Sequence, residues 1–539
     1  MKFRSNRLSM PVNTGIRRGK FPPAAMAGII AGLFLLFGLY TIDDFGITWD
    51  EPVHFASGDL YLDRLLDPVQ SLTFSESDFQ GSMQYYGPVF DIWGAFNHRL
   101  FSEKLGLLAE DNARHLHLLL AGVLTVFFTY LLVQRALSTR IAVFSVLFLI
   151  AFPRFLGHSF NNPKDIPLAC ISVISIYLYY LRLTTGRKRF SLLLIVAGGI
   201  GFATRIQYVI IPVMLLSYTI IYVCIKYLKA KHILRELISL WDLFAAILMS
   251  IPMGIVFWPY FWSDTLMKLQ KMTEFYLYHQ SQARLLIRYW GEDYTPGIDM
   301  PWHYAPVMLA ITTPLITLGF FLIGSLRIIF SWIRDRVEEK ETVLFYLLLI
   351  FWIVIGIVPF ILPGQRVYGG IRHFLFIVPA LCIVAAIGMD FAVRCIEVKI
   401  RRWSYAVIIS LFTVLFISVL SYHPYYTVYY NGLVGGPRGA FNRFSLENWG
   451  NSYKAACRFI NENAPPNSTV LAMVIPDIPR FYLRPDIKVL GPESANVSGV
   501  SYDYSIYIIR DIDLLKNRNK KPVFSVSVKG QPICKVHRW

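Results

Sequence analysis

Long apolar runs alternate with short polar turns over most of this chain. The runs lie near 24–41, 114–134, 139–155, 163–182, 190–204, 206–228, 239–258, 304–328, 342–362, 371–393 and 402–422. Most approach the roughly 20 residues that an α-helix needs to cross a bilayer core. The 190–204 run is short and reads as a half-span paired with its successor. Beyond about residue 440 the pattern changes to a polar composition with short apolar stretches. A helix is predicted over Ser452–Asn463, and strands over Thr469–Ile475, Ile487–Leu490, Ser505–Ile509 and Val523–Val528. The chain therefore reads as an all-α polytopic membrane protein of about eleven transmembrane helices, followed by a small α/β domain. The expected divisions are a basic N-terminus (1–23), a membrane domain (24–430) with a long loop at 41–113, and a C-terminal domain (431–539).

Composition agrees with this reading. The chain has 539 residues, 55% of them hydrophobic and only 16% charged, against about 25% charged in soluble domains. The net charge of +17 does not point to nucleic acid, because the bases gather in alternate short loops. Lys2, Arg4, Arg7, Arg17, Arg18 and Lys20 precede the first run, which places the N-terminus in the cytoplasm by the positive-inside rule. Later clusters at Arg135 and Arg140, at Arg182 and Arg187–Arg189, at Lys226–Arg235, at Arg334–Lys340 and at Arg394–Arg402 recur on the same side. An odd number of spans then puts loops 41–113 and 259–303 and the C-terminal domain outside. The first run lacks a small-residue cleavage site and reads as a retained helix. No dinucleotide-binding glycine motif, P-loop, serine-hydrolase signature or paired-cysteine metal motif occurs. Cys457 and Cys534 share the outer domain and can pair in an oxidising space.

The chemistry gathers on the expected outer side. Directly after the first run stands TIDDFGITWDEPVHF, with Asp50 and Glu51 adjacent and His54 and Phe55 close behind. A carboxylate at a membrane boundary can accept a proton from a hydroxyl; a solvated acidic loop is the alternative. In the same loop, Phe90, Trp93, Phe96 and Leu100 recur at helical spacing, as in a helix lying in the interface or packed on the bundle. The stretch 152–167 reads as a short loop carrying Arg154, His158, Asn161, Asn162, Lys164 and Asp165. Asp165 there either serves a site or stabilises the start of the next helix. Arg205, beside Gln207, sits between two apolar runs and needs an anion or a route to the headgroups. Arg366, Tyr368, Arg372 and His373 lie where two runs meet. Bases on the outer side run against the positive-inside trend, and a phosphate would account for them.

Asp-Glu just after the first span, with His and Phe following, resembles the catalytic motif of the family 39 glycosyltransferases. That family comprises the protein O-mannosyltransferases and bacterial relatives such as the lipid A aminoarabinose transferases. The stretch RHFLFIVPAL is similar to a recurring basic-aromatic-Leu-x-x-x-Pro segment of the same family, and the resemblance spans roughly residues 20–440. It implies the GT-C fold. It also implies a polyprenyl-phosphate-linked sugar donor and a hydroxyl acceptor on a glycan, lipid or protein, with inversion at the sugar carbon. Under it, Asp50 is the general base, with Glu51 as alternative or helper. His54 orients the carboxylates, Arg372 binds the donor phosphate, and Asp165 and His373 give support; Arg366, Arg205 and Lys164 are further candidates for the phosphate, Arg205 and Arg366 from their charge and position alone. It implies no catalytic metal and no cofactor, membrane lipids but no nucleic acid as partners, and a bacterial plasma membrane with the site on the extracytoplasmic face. The rival readings are a polytopic transporter or lipid-carrier flippase and a non-catalytic scaffold. A transporter predicts internal repeats and paired charges within several spans, neither of which the sequence displays.

Overall fold

The structure is a computed structural model that describes residues 23–67, 72–227, 240–278, 286–334, 340–496, 501–509 and 521–539. The basic N-terminus, Lys229, Lys231, Arg235 and Arg336 lie outside the described residues, as do the side chains of Lys399, Arg401 and Arg402.

Each apolar run of the sequence has a helical counterpart. Among the described residues, seven helices are long and apolar enough to cross a membrane, or nine spans if each of two bent pairs counts as one. Arg189–Phe202 and Trp241–Val256 are shorter apolar helices. Both bent pairs correct the sequence reading. The 139–155 run stops at Ile150, and Pro153–Asn161 forms a separate helix turned by 65°. The expected loop at 152–167 is thus largely a buried helix. Phe152 is extended (φ −90°, ψ 108°) because it precedes Pro153, which starts the new helix. The 304–328 run breaks in the same way. Thr313 is extended ahead of Pro314 (φ −87°, ψ 133°), and the two halves meet at 118°. Leu33, Leu36, Leu322, Leu326, Ile409 and Ile417 are exposed on the long helices, as expected of surfaces that face lipid. The last span, Trp403–Leu420, packs Phe412 against Phe144 and Phe148.

The segment after the first span folds on top of this bundle. Helices Glu51–Leu66 and Val89–Asn97 lie side by side. Phe90 is buried and Trp93 packs beside it near His117, while Phe96 points outward. A second apolar core, built on Tyr61, Phe74, Phe79, Tyr85 and Tyr260, ties this segment to the turn Pro259–Trp262.

Among the described residues the C-terminal domain has a five-stranded mixed sheet in the order 488–490, 469–472, 504–508, 531–538, 524–528. The first two pairings are parallel and the last two antiparallel. The strand Gln531–Arg538 was not evident in the sequence, nor was the hairpin Ile287–Tyr289 with Glu292–Tyr294. Helix Tyr453–Asn463 covers the sheet, with Phe459 stacked on Phe524. Cys457 and Cys534 are buried free thiols. The domain is fastened to the segment after the first span. Trp49 N–H donates to the Trp449 carbonyl (2.9 Å), Ile47 N–H to the Tyr482 hydroxyl (2.8 Å), and Lys454 Nζ to Asp111 (2.8 Å). Residues from both ends of the chain therefore meet at one place.

Candidate active site

Asp50 and Glu51 are neighbours with opposite surroundings. A helix begins at Glu51 and turns successive side chains by about 100°, so one carboxylate enters the core and the other stays at its edge. Glu51 is fully buried. Its Oε2 accepts from Thr48 N–H (2.6 Å) and Thr48 Oγ1–H (3.0 Å), and its Oε1 lies 3.0 Å from His115 Nε2. Asp50 keeps 35% of its side chain exposed and accepts from Arg372 Nη1 at 2.8 Å. An exposed carboxylate can meet a substrate hydroxyl; one enclosed by its own backbone cannot.

Arg372 opens the 3-10 turn that leads into the span Arg372–Glu397. Its guanidinium lies over the rings of Tyr368 (4.5 Å) and Trp449 (4.7 Å). Such contacts hold a desolvated cation in place without neutralising it. Its Nε donates to His373 Nε2 at 3.2 Å. A narrow cleft opens here, lined by Trp49, Ile287, Tyr368, Gly369, Arg372 and Trp449.

The remaining expected residues form pairs around this centre. Lys164 Nζ donates to Asp91 Oδ2 (2.8 Å) and to the Gly87 carbonyl (2.6 Å). His54 Nδ1 also reaches Asp91 Oδ2 (3.1 Å), so it holds Asp91 and neither Asp50 nor Glu51. Burial alone would raise the Asp91 pKa, but Lys164 and His54 outweigh it and hold the carboxyl below its usual range. Arg205 Nη1 donates to Asp165, and its Nε to Gln207. Asp165 is fixed by Asn162, whose Nδ2 donates to Oδ2 (2.8 Å) and whose Oδ1 accepts the Asp165 N–H (2.8 Å). Arg366 is not drawn into this group. It packs against Gly297 of the 295–299 turn and makes no ion pair among the described residues.

Four contributors were missed. Thr48 and His115 bury Glu51, Asp91 receives Lys164 and His54, and Trp449 stacks on Arg372. Asp91 had a signal: it is the acid inside an otherwise apolar helix, Val89–Asn97. Trp449 had none, because its domain reads as a separate unit.

Residues 105–256 match the family model of dolichyl-phosphate-mannose-protein mannosyltransferase. The match includes Arg154, Lys164, Asp165 and Arg205, but neither Asp50 nor Arg372. The fold is similar to that of ArnT from Cupriavidus metallidurans bound to undecaprenyl phosphate. The two share 12% identity over 95% of this chain and 97% of that one, with a TM-score of 0.50. An oligosaccharyltransferase from Archaeoglobus fulgidus tethered to an acceptor peptide aligns at a TM-score of 0.48. It shares 13% identity over 90% of this chain and 69% of its own. No curated protein matches the chain. The architecture is that of a polytopic membrane protein with the GT-C fold and a small sheet domain at its C-terminus.

Proposed function

We propose that this GT-C membrane protein is a glycosyltransferase that moves a sugar from a polyprenyl phosphate to an acceptor hydroxyl. The observation that carries the reading is the Asp50–Arg372 pair at the cleft. There a reachable carboxylate sits beside an arginine that two aromatic rings hold in place. The partial family match and the undecaprenyl phosphate bound by the similar ArnT structure support the same substrate class.

Asp50 takes the proton of the acceptor O–H as its oxygen attacks the anomeric carbon. The bond from that carbon to the phosphate oxygen breaks, and its electron pair stays on the phosphate. Arg372 leaves Asp50 for the lipid phosphate, so donor binding also frees the base. Glu51 shapes the turn and does not take the proton. A single displacement of this kind inverts the sugar carbon.

The direct test supplies purified protein with polyprenyl-phosphate-linked sugars and an acceptor fraction from the source membrane. Release of polyprenyl phosphate that depends on acceptor is expected. Movement of an intact lipid-linked sugar between leaflets without its cleavage would instead establish the flippase reading. The site is assigned to the extracytoplasmic face because alternate loops are basic. Cysteines at Ser75 and Glu462 should then react with impermeant thiol reagents in intact cells, and one at Thr184 should not. The reverse pattern would invert the orientation.

A further inference from the structure

Among the described residues Arg154, Lys164, Arg205 and Arg372 are buried cations, and three of them have a carboxylate of their own. Lys164 has Asp91, Arg205 has Asp165, and Arg372 has Asp50. Arg154, on the buried helix Pro153–Asn161, has none among the described residues. It is 2% exposed, and its Nε and Nη2 have no hydrogen-bond partner among the described residues. Its guanidinium lies over the Tyr430 ring at 5.2 Å, which attracts a cation but does not balance it. A buried charge without a counter-ion is costly, and one at membrane depth marks a functional site.

Its place in the site is set by two glycines. Gly369 and Gly370 both have left-handed φ (68° and 75°). A Cβ on Gly369 would meet Arg372 Cδ at 3.1 Å, and one on Gly370 would meet Arg154 Nη1 at 2.6 Å. The diglycine turn therefore brings both guanidiniums against one piece of backbone. The link is repeated on the other side: His158, one turn along the Arg154 helix, packs on Trp449, which also lies against Arg372.

We propose that Arg154 is the second cation for the departing lipid phosphate, and that with Arg372 it stabilises the charge gained when the glycosidic bond breaks. This rests on the reading of the site given above. The donor is a phosphodiester with one negative charge. The product is a phosphomonoester that carries about −1.5 to −2 at neutral pH, with a second pKa near 6. One arginine matches the donor, and two match the product. A cation whose effect grows as that charge develops lowers the barrier more than it tightens the donor.

The test measures binding of polyprenyl phosphate to the full chain in nanodiscs across the second phosphate ionisation, from about pH 5 to 8. Wild type should bind more tightly as the phosphate becomes a dianion, by roughly tenfold. In Arg154→Met that rise should flatten while affinity at the acid end is kept. In turnover, Arg154→Met should lose about tenfold or more in kcat with donor KM little changed. Arg154→Lys should recover part of both. A folded Arg154→Met with the wild-type rise and wild-type kcat would overturn the proposal. Should Arg154→Met fail to fold, Arg154→Gln decides, since it keeps a polar side chain at the buried position but removes the charge. A wild-type rise in folded Arg154→Gln overturns the proposal equally. If wild type binds no polyprenyl phosphate at any pH, the reading of the cleft itself fails.

Discussion

The span Arg372–Glu397 has arginine–carboxylate clusters at both ends, roughly 30 Å apart at helical rise. At the Glu397 end, Arg140 donates through Nε to Asp390 and through Nη1 to both oxygens of Glu397 (2.9 and 3.0 Å). Asp390 also accepts from Arg394 Nε (2.8 Å). Two arginines meet two carboxylates, all from two helices that already pack together. At the Arg372 end the contributors come from residues 50, 154, 372 and 449, and among the described residues Arg372 has a carboxylate partner whereas Arg154 has none. The residue types are the same, yet the first cluster is saturated and the second is short of an anion. Saturation is what a helix contact needs; a missing anion is what a phosphate site needs. Arg182 with Asp242 and Ser191 repeats the saturated pattern elsewhere.

The largest expected effect separates the two ends. Asp50→Asn keeps size and one oxygen but cannot take the proton, and turnover should fall by about 10²–10⁴-fold. Glu51→Gln should act on folding instead. Its Oε2 serves both Thr48 donors and its Oε1 faces His115, so the amide loses the buried charge and must turn an N–H toward either the Thr48 donors or the imidazole. Yield and thermal midpoint should drop, while the folded fraction turns over close to wild type. A greater loss per folded molecule in Glu51→Gln than in Asp50→Asn would exchange the two roles.

A smaller effect is expected from the arginine of the same pair. Arg372→Ala should weaken donor binding by roughly 10–100-fold, the range for a lost hydrogen bond to a charged group. Arg372→Lys should recover only part, because an ammonium neither grips two oxygens nor lies flat between Tyr368 and Trp449. Binding of polyprenyl phosphate to the purified variants decides this. Unchanged affinity in the alanine variant would take Arg372 out of the site and make its end of the helix no different from the other.

Much of this was legible in the sequence, for a physical reason. Hydrophobic runs must match the bilayer, so the apolar runs announced themselves although the breaks in two of them did not, and Asp50 and Arg372 stood out because acids and bases are expensive at a membrane boundary. What stayed hidden depends on contacts between distant parts of the chain. Adjacent Asp50 and Glu51 look equivalent until Thr48 and His115 enclose one of them. Arg154 looked like a loop residue because polar residues crowd the stretch 152–167, whereas Pro153 starts a buried helix. His54 was assigned to the nearest carboxylates, but Asp91 on the neighbouring helix lies within its reach. Trp449 belongs to a domain whose composition suggested a detached module, and only its docking through Trp49, Tyr482 and Lys454 puts it on Arg372.

The smallest effect is the one expected at the saturated end. Asp390→Asn removes the acceptor shared by Arg140 and Arg394. Asp390 is buried, but Arg140 keeps one-third of its side chain exposed and retains Glu397 through Nη1. Neither arginine is left as an unpaired buried charge, so the loss should be that of hydrogen bonds to a charged group, about 1–3 kcal/mol, and not the larger penalty of a broken buried pair. The thermal midpoint of the detergent-solubilised variant should fall. Donor affinity and turnover of the folded protein should stay within about twofold of wild type, because no group near the cleft changes. A loss of turnover at unchanged stability would show that the two ends are coupled along the helix. Arg372 would then owe part of its placement to a cluster roughly 30 Å away, and the division between a saturated brace and an anion-seeking site would no longer hold.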